Sequence, residues 1–463
     1  MEILNSWISA TNNILWTYVL IASLLGCAVW FTIRTKGVQF RMLPEMFRIL
    51  GESAGRKDKH ISSFQAFTIS LASRVGTGNL AGVATAIAIG GPGAVFWMWL
   101  IALLGASSAF IESTLAQLYK RKSNGSFIGG PAYYMERALG KRWMGIIFAI
   151  LISITFGLAF NSVQSNTITA AWSSAFGVNP TILGAILSIL TLAIILGGIQ
   201  SIAKVSSTIV PVMALGYIGL ALVVVLMNIS ELPRVIGIIV GSAFGMKQAI
   251  AGGIGAALMQ GIKRGLFSNE AGMGSAPNAA ATATTSHPVK QGLIQTLGVF
   301  TDTLVVCSCT AFIILCSGVP IDGSVNGVQL TQMALTNEIG AIGSPIIAIA
   351  ILLLAFSSII GNYYYGEANI MFITDKKWVL QFFRICTAGM VMFGAVTSLE
   401  TVWNLADVTM ALMTIVNLCA IVPLGSQAFR LLKDYTSQKR QGVKSPVFSK
   451  ESMPDIADRI ECW

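Results

Sequence analysis

SRVGTGNLAG, running from Ser73 to Gly82, interrupts an apolar stretch long enough to lie in a bilayer. It puts an Arg, a Thr, an Asn and three Gly where a membrane helix would carry aliphatic side chains. Glycine weakens a helix, and backbone groups freed from helical bonding are costly in lipid. A break here asks for something that its exposed N–H and C=O groups can hold.

The surrounding chain is a membrane protein by composition. Of 463 residues, 54% are hydrophobic and only 11% are charged, against about 25% charged in soluble domains. Mean hydropathy is +0.73, and the 46 glycines suit close helix packing in lipid. Seven cysteines show no metal-type spacing and read as packing residues. The apolar run from Ile14 is too long for a cleaved signal peptide and reads as a first span.

A crossing helix needs about 20 apolar residues. Such runs predict eleven spans, at 13–34, 62–90, 92–119, 143–174, 179–199, 207–229, 243–262, 289–318, 342–371, 380–398 and 405–430. The tail, 431–463, is polar and is expected to fold little. Lys and Arg mark the cytoplasmic side. They gather at Arg34–Lys59, Lys120–Arg142, Lys204, Lys263–Lys290, Lys376–Lys377 and the tail, while only Arg234 and Lys247 fall opposite. This predicts an outside N-terminus and a cytoplasmic C-terminus. The net charge of +10 is then a topology signal and calls for no nucleic acid. No obligatory protein partner is evident, only membrane lipid.

The break has a partner. RVGTGNLAGVATA (Arg74–Ala86) aligns with RGLFSNEAGMGSA (Arg264–Ala276) at an offset of 190, with five identities in thirteen. FIES (Phe110–Ser113) meets FTDT (Phe300–Thr303) at the same offset. Small-residue spans also match by chance, but the topology adds support. Five spans per unit invert the second copy, as in transporters whose repeats each contain a broken helix. Spans two to six (62–229) and seven to eleven (243–430) form the repeats, and span one leads.

Free N–H groups at a break suit a carboxylate, and free C=O groups suit a small cation. A zwitterionic amino acid travelling with Na⁺ needs both. Ser357 and Ser358, deep in span nine, either bond back to carbonyls one turn earlier or supply hydroxyls to Na⁺. On span four, Gln164 shares a helical face with Phe160. It either bonds a substrate or bridges two helices. Arg74, Glu112, Glu270, Asp302 and Asp407 are ionisable groups at membrane depth, candidates for function by default. Arg74 paired with Glu270 or Asp302 reads as a gate or a structural brace. Glu112 and Asp302, equivalent in the repeats, read as structural acids away from the breaks. Lys263, Arg264 and Glu367 are expected near the cytoplasmic mouth, in solvent. His60 and His287 are both expected in cytoplasmic loops and offer little material for a metal or catalytic centre.

GGPGAVFWMWLIALLG (Gly90–Gly105), GGPAYYMERALG (Gly129–Gly140), GLFSNEAGMGSAPNAAA (Gly265–Ala281) and the terminal ECW resemble the blocks of the sodium:alanine (alanine or glycine:cation) symporter family. The resemblance covers nearly the whole chain. It implies an all-α polytopic membrane protein with a five-plus-five inverted-repeat, leucine-transporter-like core. It further implies a non-enzymatic symporter of alanine or glycine in the bacterial inner membrane, coupled to Na⁺ or sometimes H⁺ and without a cofactor. By the same resemblance, backbone at Thr77 and Gly78 binds the substrate carboxylate. The carbonyls of Ala72 and Val75 join Ser357 and Ser358 at Na⁺, and Gln164 contacts substrate. Phe267, Ser268 and Asn269, at the expected break in span seven, close the other side. Two departures touch the pocket: Asn362 stands where the family often has Trp, and Phe160 where many members have Gly. Serine and glutamine therefore stay open beside alanine and glycine, and a proton-coupled carrier is the alternative mechanism. A channel or a membrane enzyme finds no support in pore-like charge rings or a nucleophile–base cluster.

Overall fold

The computed structural model describes residues 10–54, 61–123, 126–245 and 253–463. His60, Lys57, Lys59 and Lys247, used in the charge reading above, lie outside them. In chain order the helices are α1 (Ala10–Arg34), α2 (Leu43–Ala54), α3 (Ser63–Arg74), α4 (Gly78–Gly90), α5 (Gly93–Leu118), α6 (Pro131–Arg137) and α7 (Arg142–Phe176). Next come α8 (Pro180–Ile195), α9 (Gly198–Met227), α10 (Leu232–Ala243), α11 (Gly253–Asn269) and α12 (Ala276–Thr282). The chain ends with α13 (Pro288–Cys316), α14 (Val328–Ile339), α15 (Gly343–Ile373), α16 (Lys377–Val396) and α17 (Leu399–Arg440). A two-stranded hairpin, Arg121–Ser123 with Ser126–Ile128, links α5 to α6.

Among the described residues, eight helices are long and apolar enough to cross a membrane. Three of the eleven expected spans are missing from that set, each for a visible reason. Span two is cut into α3 and α4, span seven into α11 and α12, and span five is the 16-residue α8. α5 runs along α11 and α13, while α7 lies against α15 and α16.

α3 starts where its sequence says it should. Ser62 and Gln65 form a reciprocal cap, Gln65 N donating to Ser62 Oγ at 3.2 Å and Ser62 N to Gln65 Oε1 at 3.0 Å. It ends at Val75, whose backbone is extended (ψ 96). The second break lies three residues beyond its expected place. Phe267, Ser268 and Asn269 still belong to α11, and the interruption is Glu270–Ser275. Hydropathy hides this, because SNEAGMGSAPNA is polar yet wholly buried.

Three other expectations change. Lys263 and Arg264 do not lie in solvent after a span; they sit inside α11, buried, toward the end where Gly90 of α4 packs against Ala256 and Gln260. Glu367 is buried too, accepting a hydrogen bond from Arg384 at 3.2 Å. The tail does fold. α17 continues to Arg440, and the remaining chain returns along the helix ends. There Phe448 N donates to Ser286 O at 2.8 Å and Trp463 Nε1 to Gln117 O at 2.9 Å. Arg430 pairs with Asp455 at 2.7 Å. His287 lies beneath this cover, fully buried, its Nδ1 accepting from the Val289 amide at the start of α13.

Candidate substrate and cation site

In a continuous helix Gly76 N would donate to Ala72 O and Thr77 N to Ser73 O. Neither bond forms. Gly76 N donates to Asn79 Oδ1 at 2.8 Å, and Thr77 N to Gln164 Oε1 at 3.0 Å. The released Ala72 carbonyl takes up the Ser358 hydroxyl at 2.8 Å, and Val75 O lies 3.3 Å from the same oxygen. The break thus sorts its backbone into two sets. Its amides face side-chain oxygens, and its carbonyls face α15.

The carbonyl side gathers most of the groups expected around a cation, with two changes. Ser358 Oγ also lies 3.1 Å from Leu354 O, so three backbone carbonyls and one hydroxyl converge. An all-oxygen set of this kind fits a hard cation. Ser357, expected as a ligand, donates instead to Leu354 O at 2.7 Å, the one-turn back-bond. The Leu354 carbonyl, one turn back on the same helix as Ser358, was not singled out in the sequence. A Cβ at Gly76 would collide with Ser358 Oγ and lie 2.9 Å from Gln164 Oε1, which is why glycine stands there.

On the amide side, Gln164 reaches the break from α7 and accepts from the Thr77 amide. Gly78 lies against α11; a Cβ there would come within 3.1 Å of Phe267 and the Ser268 backbone. Phe160 and Phe267 stack with centroids 4.4 Å apart, and Phe267 meets Trp403 at 4.6 Å. One turn further along α11, Arg264 lies over the Trp403 ring at 4.1 Å and donates to Asp407 at 2.6 Å. An aromatic layer and a buried ion pair therefore separate the break from the α11 N-terminal end. Trp403 went unnoticed in the sequence, and Asp407 was singled out without its partner.

The acids are held differently from expectation. Arg74 does not pair with Glu270 or Asp302. Its Nη1 donates to Gln295 O at 3.2 Å, and Nε and Nη2 have no hydrogen-bond partner among the described residues. Asp302 accepts from Asn79 Nδ2 and Ser268 Oγ, both at 2.7 Å, tying the first break to the last turn of α11. Glu270 accepts from Ser275 Oγ at 2.6 Å, and the Ser73 hydroxyl lies 2.7 Å from its other oxygen. Asn269 turns inward on its own strand of chain, its Oδ1 accepting from Ala271 N at 3.0 Å. Asn362 is fully buried between Ser73 and Asn161, one turn beyond Ser358. Glu112 is not remote from the breaks. It accepts from Gly272 N at 3.1 Å and Gly274 N at 3.0 Å, at the heart of the second one.

Known proteins place this arrangement in a class. The structure resembles that of MhsT in complex with L-phenylalanine, with a TM-score of 0.52, 16% identity, and 88% of this chain and 94% of that one covered. A manganese transporter of Eremococcus coleocola gives 0.53 at 15% identity, covering 88% and 87%. The fold is that of the leucine-transporter-like secondary transporters. The chain belongs to the sodium:alanine symporter family, whose model matches residues 1–450.

Relatives span it end to end. A probable sodium/glutamine symporter, GlnT of Bacillus subtilis, is 54% identical over 100% of this chain and 96% of its own length. The amino-acid carrier protein AlsT of the same organism is 52% identical, over 99% and 97%. The sodium/alanine symporter AgcS of Methanococcus maripaludis is 37% identical, over 95% and 99%. The protein is therefore a multi-pass membrane transporter of amino acids, not an enzyme.

Proposed function

We propose that the protein imports a small neutral amino acid together with Na⁺ by alternating access, in the bacterial inner membrane, with its N-terminus outside and its tail in the cytoplasm. The observation that carries this is the sorting of the first break: carbonyls of Ala72 and Val75 on Ser358, and the Thr77 amide on Gln164. Na⁺ takes the place of the Ser358 proton contacts on the carbonyl side. The substrate carboxylate displaces Gln164 Oε1 from the Thr77 amide, and Gln164 turns to the ammonium or side chain. Residues 62–229 and 243–430 move as two repeats about this point, with 13–34 as an added helix. Phe160, Phe267 and Trp403 close over the bound amino acid, and the Arg264–Asp407 pair seals the outer side. Asp302 braces the first break against the last turn of α11 through Asn79 and Ser268. Alanine and glycine match the family resemblance, and serine differs from alanine by one hydroxyl. Glutamine is a second reading, supported by the 54% identical relative's name and by a carboxamide, Asn362, in the polar chain beside the break.

Uptake of labelled alanine, glycine, serine and glutamine into proteoliposomes tests both readings. Accumulation that requires an inward Na⁺ gradient supports symport and ranks the substrates. Accumulation driven as well by a pH gradient alone moves coupling to the buried acids, and no accumulation removes the amino-acid reading.

A further inference from the structure

A chain of buried side chains runs from α7 through α15 and α3 to the second break, and its donors and acceptors leave little freedom. A carbonyl only accepts, so Gly157 O, 3.1 Å from Asn161, must meet the amide nitrogen Nδ2. That turns Asn161 Oδ1 toward Asn362, 3.2 Å away, and Asn362 must present its own Nδ2 there. Asn362 Oδ1 then faces Ser73 Oγ at 2.6 Å. It can only accept, so the single proton of the serine hydroxyl is committed to it. The next contact is Ser73 Oγ to Glu270 Oε1, at 2.7 Å. Two acceptor oxygens would face each other here unless the carboxyl carries a proton of its own. Turning both amides over does not remove the demand, because it sets Asn161 Oδ1 against Gly157 O. The other oxygen of Glu270 accepts from Ser275 Oγ at 2.6 Å. One oxygen donating and one accepting is the pattern of a neutral carboxylic acid.

The charged groups around Glu270 fit this pattern. Arg74 on α3 is the cation that acts on it, yet Arg74 Nε and Nη2 have no hydrogen-bond partner among the described residues. Tyr365 on α15 shares the same field, with its hydroxyl also unpartnered among them. Of the neighbouring acids, Glu112 on α5 is taken up by the Gly272 and Gly274 amides, and Asp302 on α13 by Asn79 and Ser268.

We infer that Glu270 is a proton-binding site: as the neutral acid it ties the second break to Ser73 at the first, and as the carboxylate it leaves Ser73 and takes the free donors of Arg74. In that step the O–H bond of Glu270 breaks and the proton passes to water. The negative charge left behind meets a guanidinium already in place, which avoids the cost of an unpaired buried charge. The joined breaks hold one proton more than the parted ones, so low pH favours the joint and rising pH loosens it. The site acts on the joint between the two repeats whichever cation and amino acid are carried.

The test is infrared spectroscopy of the purified full-length protein as a function of pH. Wild type is expected to show the C=O stretch of a neutral carboxylic acid that fades as pH rises, and Glu270→Gln is expected to lack that band. Gln offers an N–H to Ser73 Oγ and a carbonyl to Ser275, as the neutral acid does, so the variant should keep the wild-type thermal midpoint at low pH. Arg74→Gln removes the waiting cation, and the band should persist to higher pH by about one to three pH units; an arginine with a merely structural role would leave it in place. Ser73→Ala, a smaller change, should keep the band and move its frequency, because the acid loses its acceptor. Identical spectra of wild type and Glu270→Gln at every pH, or a frequency unmoved in Ser73→Ala, would overturn the proton site. A band absent from Glu270→Gln that fades at an unchanged pH in Arg74→Gln would overturn the exchange onto Arg74.

Discussion

The two helix breaks occupy equivalent places in the repeats and are built on opposite plans. The first spans Val75–Thr77, and its free groups are met by side chains from other helices: Gln164 from α7, Ser358 from α15 and Asn79 from just beyond. Each of those partners can be exchanged for a ligand atom without leaving a charge behind. The second spans Glu270–Ser275 and twists through left-handed backbone at Glu270 (φ 58), Gly272 and Gly274 (both φ 85), a conformation disfavoured for Glu270 because it carries a Cβ. Two of its amides are held by one carboxylate, Glu112, itself fixed by Asn417 Nδ2 at 2.8 Å. Removing that carboxylate strands buried donors. A pseudo-symmetric pair thus differs in kind: one break is held by neutral partners that a ligand can replace, while the other is locked by a carboxylate and keeps its shape.

The largest effect expected from this division is at Gly76. Gly76→Val drives a side chain into Ser358 and Gln164 together, on both faces of the binding break. Uptake is expected to fall about 100-fold, matching the upper end of overpacking at about 3 kcal/mol. A variant that folds and transports normally would falsify the assignment of this break as the site.

Glu112→Gln attacks the locked break. Gln offers one acceptor oxygen in place of two, so Gly272 N and Gly274 N can no longer both be held. Stability is expected to drop by about 1.5–3 kcal/mol, the range for hydrogen bonds to a charged group. It should be read as a lowered thermal midpoint in detergent, with the Na⁺ dependence of the surviving protein unchanged. An altered Na⁺ dependence at unchanged stability would reverse the roles given to the two breaks. Next in size is Gln164→Leu, which uncovers the Thr77 amide. The substrate concentration for half-maximal uptake should rise about five- to tenfold, with Na⁺ half-saturation close to wild type. A shift in Na⁺ alone would detach Gln164 from the substrate side.

The contrast between the breaks also explains what could be read in the sequence. Glycines and a polar run inside an apolar span announced the first break, and the offset of 190 announced the second. Of the cluster of Ala72, Val75 and Ser358, only the serine was legible from residue type, as a hydroxyl out of place in lipid; the two carbonyls came from the family resemblance. The extent of the second break was not, since hydropathy counts Glu270, Ser275 and Asn278 as solvent-seeking. Here they are buried by bonding one another and their neighbours. Arg264 was misplaced for the same reason: its partner Asp407 is 143 residues away. Glu112 stood out in the sequence as an acid at membrane depth, but its place at the second break could be found only from the amides it accepts, and those amides belong to residues that look inert in sequence. The tail looked unstructured because its few apolar residues, Phe448, Met453, Ile456 and Ile460, join the core of the helix bundle rather than forming one of their own.

The smallest effect separates two adjacent serines, and it sharpens the picture of the cation side most. Ser358 touches the Ala72, Val75 and Leu354 carbonyls, whereas Ser357 is turned back onto Leu354 O alone. Ser358→Ala removes the one hydroxyl that reaches the open break, and the Na⁺ concentration for half-maximal uptake should rise about fivefold, the equivalent of about 1 kcal/mol. Ser357→Ala removes only a helix back-bond and should move it by less than about twofold. Equal, large shifts in both would mean that Ser357 rotates toward the ion when Na⁺ binds, making both serines ligands as the family resemblance implies. A large shift in Ser357→Ala alone would place the ion on the far side of Leu354, away from the first break, and the exchange of helix bonds for ligand bonds would no longer explain why that break exists.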